Sequence, residues 1–187
     1  SQITVYAADV PGLFSYICGA LAAKGFNIWS AHIFSTTDGF AINKFYVTDL
    51  ENRPLSEGLR LDRLRKDLNK VIQGKMDVEE MIAHHRTRQP RRSLPRAVHP
   101  TSVIIDNKSS QCYTIVEIRT ADRPGLLYRI TRALSRCQLD IHRSIIATEA
   151  YGVVDVFYVT DMEYNKIHGA PDQEQIRRAL VDAADAE

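Results

Sequence analysis

The sequence predicts an α+β protein built from two small units, each with an antiparallel sheet and helices on one face. Three observations predict this class: an internal repeat, alternating apolar residues typical of strands, and two stretches of helical periodicity in each copy. The chain has 187 residues, of which 44% are hydrophobic and 25% charged. This composition is globular, and the length fits one medium domain or two small ones.

The repeat relates residues 9–49 to residues 122–161, which align with a single one-residue deletion. Roughly a third of the aligned positions are identical. Both copies begin with D-x-P-G-L and end with F-Y-V-T-D. Two copies are too few for a solenoid, so the repeat favours two homologous domains.

The first strand and the first helix of each copy follow from the spacing of apolar residues. Apolar residues alternate from Ile3 and from Val116, which indicates a strand with one buried face. After the Pro-Gly pair, helical spacing predicts an amphipathic helix at Leu13, Ile17, Ala20 and Leu21, and at Leu126, Ile130, Ala133 and Leu134. Gly25 predicts a left-handed helix end, whereas the second copy has Gln138 there.

Two further strands and a second helix complete each copy. Residues 26–35 and 41–48 are predicted to form a hairpin, and residues 139–148 and 153–160 repeat it. The second helices are predicted at Leu61, Leu64, Leu68 and Val71, and at Ile176, Ala179, Leu180 and Ala183. A strand at 102–106 would complete a ferredoxin-like β-α-β-β-α-β unit in the first copy. The second copy either lacks its last strand or borrows an edge.

The predicted boundaries follow from these elements. The first unit spans residues 1–75, completed by the strand 102–106, and the second spans residues 112–187. Residues 76–101 are predicted to hold a short helix through Ile82, opened by a capping box at Asp77 and Glu80, and then a basic, proline-broken linker. The chain starts inside a strand and without Met, which suggests a fragment of a longer protein.

Charge, cysteine content and hydropathy limit the classes of function. Lys plus Arg number 24 and Asp plus Glu 23, so no global positive field attracts nucleic acid. Three cysteines at unrelated spacings predict reduced thiols and no metal motif. No apolar run reaches the ~18 residues of a membrane span. We therefore expect a soluble, cytoplasmic chain without a membrane or nucleic-acid partner.

The two shared segments resemble the ACT domain, a regulatory module that binds amino acids. The second copy, with DGFAINKFYVTD and VIIDNKSS, is most similar to the C-terminal tandem ACT region of the enzymes that uridylylate and deuridylylate the regulatory protein PII. The resemblance covers nearly the whole chain, and only weakly residues 51–100.

The resemblance implies that the tandem senses glutamine and passes the signal to separate catalytic domains. It implies a parent uridylyltransferase with hydrolase activity that acts on PII and needs a divalent metal. No cofactor and no catalytic site are expected within these 187 residues.

The strand-to-helix turn of each copy suits a ligand carboxylate, because glycine leaves backbone N–H groups accessible at a helix start. We expect the carboxylate near Gly12 or Gly125 and the ammonium near Asn27 or Asp140, with the second copy favoured. In ACT domains such a turn faces the second strand of the other copy. The candidate ligand-binding residues are Asp9, Val10, Pro11, Gly12, Leu13, Phe14, Asn27, Ile28, Asp122, Arg123, Pro124, Gly125, Leu126, Leu127, Asp140 and Ile141.

Several alternatives stay open at this point. Pro11 and Pro124 could simply start helices, with Asp9 and Asp122 as caps. The outward face of the hairpin strands, with Tyr46 and equivalent residues, is either half exposed or covered by the other copy, by a second chain in a homodimer or by the parent's domains.

Two other classes of function share this strand order. The segment 39–45 is similar to the aromatic strand of RNA-recognition modules, but the second copy loses the pattern. A ferredoxin-like acylphosphatase would need a phosphate loop with a positioned Arg and Asn, which the sequence does not show. A purely structural docking module is the remaining alternative.

Overall fold

The computed structural model describes residues 1–55, 58–88, 100–123, 125–149 and 152–186. Within these ranges the elements are β1 (Gln2–Ala8), α1 (Leu13–Ala23), β2 (Phe26–Ser35), β3 (Phe40–Asp49), α2 (Leu59–Ile72), α3 (Val78–Arg88), β4 (Ser102–Asp106), β5 (Thr114–Thr120), α4 (Leu126–Arg136), β6 (Leu139–Glu149), β7 (Gly152–Asp161) and α5 (Ala170–Asp185). The predicted strand and helix order of both copies is confirmed.

The strands of the described ranges form a single antiparallel sheet in the order β1-β3-β2-β6-β7-β5-β4. Strands β2 and β6 join the two copies, and Ala31 pairs with Ser144 at the middle of their contact. These two residues occupy equivalent positions in the repeat. The two units are therefore related by an approximate twofold axis through this pair, and the predicted α+β class is confirmed.

Strand β4 corrects one prediction. It pairs with β5 from Ser102 opposite Arg119 to Asp106 opposite Ile115, so it completes the second unit and not the first. The short connection 107–113 explains this choice, because strands that are close in sequence usually pair. The second unit therefore has its fourth strand, and β1 forms the far edge of the sheet.

Helices cover one face of the sheet. Phe45 and Phe157 are fully buried on that face, and one apolar cluster extends from Leu13 in the first unit to Ala184 in the second. On the opposite face Tyr46 is 43% exposed. The predicted alternation of the two faces is confirmed, whereas cover of the open face by a partner stays a prediction.

Helix α3 is longer than predicted, because it continues past Ile82 to Arg88. Its start agrees with the predicted cap: Asp77 Oδ1 accepts hydrogen bonds from the amides of Glu79 and Glu80 at 2.6 and 3.2 Å. The predicted linker falls mostly on residues 89–99, which lie outside the described ranges.

Helix α3 packs across both units. Val78 lies so close to Gly19 of α1 that any side chain at Gly19 would overlap it. Val78 and Ile82 share a small buried cluster with Val71 of α2 and Tyr128 of α4. The helix therefore bridges α1 and α4 on the side away from the sheet.

Candidate functional site

Each D-x-P-G-L segment leads into a helix, and in the first copy it forms a β-turn. In the first-unit turn (residues 9–13), the Leu13 amide donates to the Val10 carbonyl at 3.0 Å. Gly12 has φ 80° and ψ 4°, and Gly125 in the second-unit turn (residues 122–126) has φ 76° and ψ 8°. These are the angles of the third position of a type II turn, which selects glycine.

The turn changes the expected roles of its neighbours. Helix α1 begins at Leu13, so Pro11 occupies the turn and not the first helical turn. Pro124 lies outside the described residues. Among the described residues neither α1 nor α4 has a side-chain cap. The prediction that Asp9 and Asp122 cap these helices is therefore wrong. The residues between each aspartate and its helix keep the carboxylate away from the first helical amides.

Asp9 instead connects the first-unit turn with the end of β2. Its Oδ2 atom accepts a hydrogen bond from Ser35 Oγ at 2.8 Å. Strand β2 pairs with β6, and this pairing brings Asp9 within electrostatic reach of Asp140 at the start of β6. The structure thus brings together two predicted site residues from different units.

The environment of Asp140 is acidic and partly buried. Burial raises the pKa of Asp140 above the usual aspartate range, His142 opposes this rise, and Asp9 adds to it. Burial lowers the pKa of His142, against the effect of Asp140, so the imidazole is neutral at pH 7. Carboxyl groups from different units are thus close enough to interact electrostatically, which would suit a ligand ammonium.

The start of α1 supplies hydrogen-bond donors at the same turn. The backbone amides of Phe14 and Ser15 have no acceptor among the described residues, as is usual in the first turn of a helix. A helix start also favours negative charge. Backbone amides and carboxylates are the kinds of group that bind the two charged ends of a zwitterionic amino acid.

A groove on the open sheet face continues from this site. Its volume is about 550 Å³, within the range of small-molecule sites. The rings of Tyr113 and His142 are 4.9 Å apart within it. Its lining residues are His32, Ile33, Phe34, Ser35, Ser110, Tyr113, Asp140, Ile141, His142, Arg143, Tyr158 and Tyr164. Aromatic, hydroxyl and imidazole groups dominate this lining, and they can form hydrogen bonds with a side chain.

The second-unit turn has different surroundings. A Cβ atom at Gly125 would lie 3.1 Å from Cγ2 of Ile82 in α3, whereas the nearest atoms to one at Gly12 belong to Ser15 and Tyr16 of its own helix. Ile82 of α3 therefore lies against Gly125, whereas no atom of α3 is among the three nearest to the same point at Gly12.

Asn27, the predicted ammonium partner of the second-unit turn, is engaged within its own unit. Its Nδ2 donates to the Asp49 carbonyl at 3.1 Å and to Asn52 Oδ1 at 3.2 Å. Together with the cover by Ile82, these contacts favour the first-unit turn, against the preference drawn from sequence.

The other predicted site residues serve mainly structural roles. Arg123 Nη1 donates to the Asp185 carbonyl at 2.9 Å, and Val10 is 37% exposed on the turn. Helix and strand residues that pack into the core, fully or in part, are Leu13, Phe14, Leu126, Ile141, Ile28 and Leu127.

Sequence reasoning missed Ser35, Tyr113 and His142. His142 sits at a register shift of β6, and Trp29 sits at the equivalent shift of β2. His142 Nε2 lies 2.9 Å from Thr160 Oγ1, and Trp29 Nε1 donates to Thr48 Oγ1 at 3.0 Å. The threonine of F-Y-V-T-D, which both copies share, was the sequence feature that could have pointed to His142 and Trp29, because it contacts these side chains.

Two further observations concern ligands and membranes. In the part of the chain that the structure describes, no three His, Cys, Asp or Glu side chains cluster as metal ligands. The absence of a cofactor stays a prediction.

No helix within the described ranges has the length and apolar character needed to cross a bilayer.

Comparison with known families defines the class of protein. The ACT domain model matches residues 1–70, and the model of the ACR9-like, ACT-like domain matches residues 102–183. The chain therefore belongs to the ACT domain family and carries two units in tandem. The second match begins at β4, in agreement with the pairing of that strand with β5.

Its curated relatives are bifunctional uridylyltransferase/uridylyl-removing enzymes. Identity is 38% over 181 residues with the enzyme of Bradyrhizobium diazoefficiens, 38% over 185 residues with that of Gluconobacter oxydans, and 39% over 180 residues with that of Rhodospirillum rubrum. The matches cover 97%, 97% and 96% of this chain. The chain spans 19% of the length of each relative.

Proposed function

We propose that this tandem is a regulatory sensor and that a free amino acid binds between the first-unit turn and the start of β6. The observation that carries the proposal is the electrostatic interaction of Asp9 with Asp140, from different units, together with amides at the start of α1 that have no acceptor among the described residues. The ligand ammonium would lie between the two carboxylates. Its carboxylate would accept hydrogen bonds from the amides of Phe14 and Ser15.

Glutamine is the ligand that we propose, on the basis of the resemblance to uridylyltransferase/uridylyl-removing enzymes. The groove offers hydrogen-bonding groups that the side-chain amide of glutamine could use. Tyr113, Ser110 and His142 offer hydroxyl and imidazole groups, and the nearby carboxylates of Asp9 and Asp140 disfavour an acidic side chain.

Binding of glutamine to the tandem would regulate a parent enzyme that uridylylates and deuridylylates PII. Glutamine can favour one activity only by binding more tightly to one arrangement of domains than to another. The half-exposed sheet face around Tyr46 is the surface that we propose for contact with the catalytic domains. The divalent metal expected for the parent would belong to those domains.

A thermal-shift screen tests the proposal. The chain is heated with each common amino acid, with nucleotides and with a short single-stranded RNA. We expect glutamine to raise Tm with a logarithmic dependence on its concentration. Stabilisation by RNA alone would overturn the proposal, and stabilisation by none of these ligands would favour a docking module.

A further inference from the structure

The two edges of the sheet differ, although the two units are equivalent in the repeat. Strands β1 and β5 correspond to one another, because Ile3 aligns with Val116. In the second unit β4 pairs with the outer side of β5, whereas no described strand lies outside β1. Within the described ranges the first unit therefore has three strands and a free edge where the second unit has a fourth strand.

The backbone of β1 can pair with a further strand. Ser1 and Val47 exchange two backbone hydrogen bonds, and the Asp9 amide donates to the Gly39 carbonyl at 2.9 Å. In an antiparallel pair the bonded positions alternate, so every second residue of β1 faces the free edge. The residues whose N–H and C=O groups face this edge are Gln2, Thr4, Tyr6 and Ala8. Strand β1 contains no charge, no proline and no register shift, which are the features that usually protect an edge.

The apolar side chains of β1 are less buried than those of β5. Val116 and Ile118 of β5 are 0% exposed. The equivalent side chains of β1, Ile3 and Val5, are only partly buried. A strand beside β1 would remove this apolar surface from water, and the hydrophobic effect would favour its binding.

Helix α2 offers a hydrogen-bond donor equivalent to the one that holds β4. In α5, Arg177 follows the buried Ile176, and its Nε atom donates to the Val103 carbonyl of β4 at 3.2 Å. Helices α2 and α5 bury residues at the same spacing, so that Leu64 corresponds to Ile176. Arg65 follows Leu64, is exposed, and has no acceptor among the residues that the structure describes. Its position suits a carbonyl group of a strand beside β1.

The second unit also indicates which polypeptide would provide this strand. Strand β4 precedes β5 and reaches it through the short connection 107–113. Ser1 corresponds to Thr114 in the repeat, so the equivalent strand of the first unit would precede Ser1. The curated relatives have polypeptide outside the region that they share with this chain, which spans 19% of their length.

A second copy of the chain fits the edge less well. Antiparallel pairing of β1 with β1 of another copy would form a continuous sheet with all helices on one face. Because α5 packs against β4, the equivalent α2 would lie over the added strand. The α2 helices of both copies would then compete for the space above the same two strands.

We propose that the free edge of β1 binds one antiparallel strand from the polypeptide that precedes the tandem in its parent protein. This strand resembles β4, with an apolar residue at the position of Val103 that faces the helices. Such pairing is β-augmentation, in which backbone hydrogen bonds provide affinity and alternate side chains provide specificity. Since β1 leads directly to Asp9, the docked strand connects the preceding polypeptide with the first-unit turn. The inference does not depend on which ligand that turn binds.

An added strand tests the edge directly. A second copy of residues 101–113 is fused ahead of Ser1, which reproduces the connection between β4 and β5. In reducing buffer, we expect hydrogen exchange of the Thr4 and Tyr6 amides to slow at least about tenfold and Tm to rise. The Val5 amide, which already bonds to β3, is the internal reference. Unchanged exchange of Thr4 and Tyr6 in a folded, extended chain would overturn the proposal.

Matched substitutions in the added copy separate pairing from extension alone. Val103→Asp there should abolish the protection, because it puts a charge on the buried face, whereas Ile104→Asp on the open face should retain it. Arg65→Gln should reduce the gain in Tm of the extended chain and leave Tm of the unextended chain unchanged. Equal protection with Val103→Asp and with Ile104→Asp would overturn pairing beside β1.

Two further measurements test the source of the strand. In a full-length uridylyltransferase/uridylyl-removing enzyme, the amides equivalent to Thr4 and Tyr6 should be as protected as in the extended chain. Fast exchange of these amides there would overturn the assignment to the preceding polypeptide. Light scattering should show the unextended chain as a monomer. A dimer that Thr4→Pro dissociates, by removing an amide at the free edge, would assign the edge to a second copy and overturn the proposal.

Discussion

Asp155 occupies the position in the second unit that Asn43 occupies in the first, and both side chains are buried. The two polar atoms of the Asn43 side chain, the hydroxyl of Ser144 and Oδ1 of Asp155 have no hydrogen-bond partner among the described residues. Such groups lose their hydration on folding without compensation, and each costs about 1–3 kcal/mol. The polar atoms lie close to the boundary between the units, where the core is therefore less stable than an apolar one.

The raised pKa of Asp155 makes stability depend on pH. Between its ordinary value of 3.8 and about 7, the folded chain holds a proton that the unfolded chain has lost. The stabilising contribution is therefore fully present below pH 3.8 and is lost as pH rises to about 7. We expect Asp155→Asn, which copies Asn43, to raise the free energy of unfolding at pH 8 by on the order of a few kcal/mol.

Urea denaturation at pH 5 and pH 8 measures this effect. The gain from Asp155→Asn should be larger at pH 8 than at pH 5. Equal gains at both pH values would contradict the assignment of a raised pKa to Asp155.

Gln138 adopts a backbone conformation that glycine tolerates better. Its φ is 58°, and Gly25 at the equivalent helix end of the first unit has φ 70°. A left-handed conformation costs an L-residue about 1 kcal/mol relative to glycine. We expect Gln138→Gly to raise the free energy of unfolding by roughly that amount. The reverse change, Gly25→Gln, should lower it; a destabilised Gln138→Gly chain in urea denaturation would contradict this account.

At the scale of elements, the position of β4 shows that a sequence pattern can predict a strand without predicting which strand it pairs with. The run of β-branched residues Val103, Ile104 and Ile105 predicts a strand, but both units offer it an edge. The structure places it on β5, where α5 supports it through a hydrogen bond from Arg177 Nε to the Val103 carbonyl at 3.2 Å. Pairing between strands is a tertiary property, and apolar periodicity contains no information about it.

A pair of neighbouring substitutions tests this placement. Val103 is 7% exposed in the core, and Ile104 is 52% exposed on the open face. We expect Val103→Asp to lower Tm strongly, because it buries a charge, and Ile104→Asp to change it little. Equal losses from the two variants would contradict the pairing of β4 with β5.

The candidate site was also predictable only in part, because some of its residues come together through strand pairing and helix packing. Proline, glycine and helical spacing identify both turns, and position in the repeat identifies Asn27 and Asp140. Ser35 and His142 come to the site only through the pairing of β2 with β6 and the register shift in β6. The cover of Gly125 by Ile82 depends on the packing of α3, which the sequence predicts only as a short helix.

At the scale of the whole molecule, the two units share one sheet and one apolar core. Neither unit can unfold without exposing the core of the other. We therefore expect a single cooperative transition in differential scanning calorimetry, with equal calorimetric and van't Hoff enthalpies. Two separated transitions would show that the units are stable independently and would contradict the shared core.

The proposed site lies at the boundary between the two units. Asp9 comes from one unit and Asp140 from the other, so an amino acid bound between them would stabilise one arrangement of the two units. Asn27 occupies the position in the first unit that Asp140 occupies in the second, and it is bonded within its own unit. This equivalence provides a matched pair of variants.

The most direct test is therefore isothermal titration with glutamine of the unmodified chain, of Asp140→Asn and of Asn27→Ala. We predict that Asp140→Asn weakens binding at least about tenfold, because a hydrogen bond to a charged group contributes about 1.5–3 kcal/mol. Asn27→Ala should bind glutamine as the unmodified chain does. Loss of binding in a folded Asn27→Ala chain, with full affinity in Asp140→Asn, would contradict the site between the first-unit turn and β6.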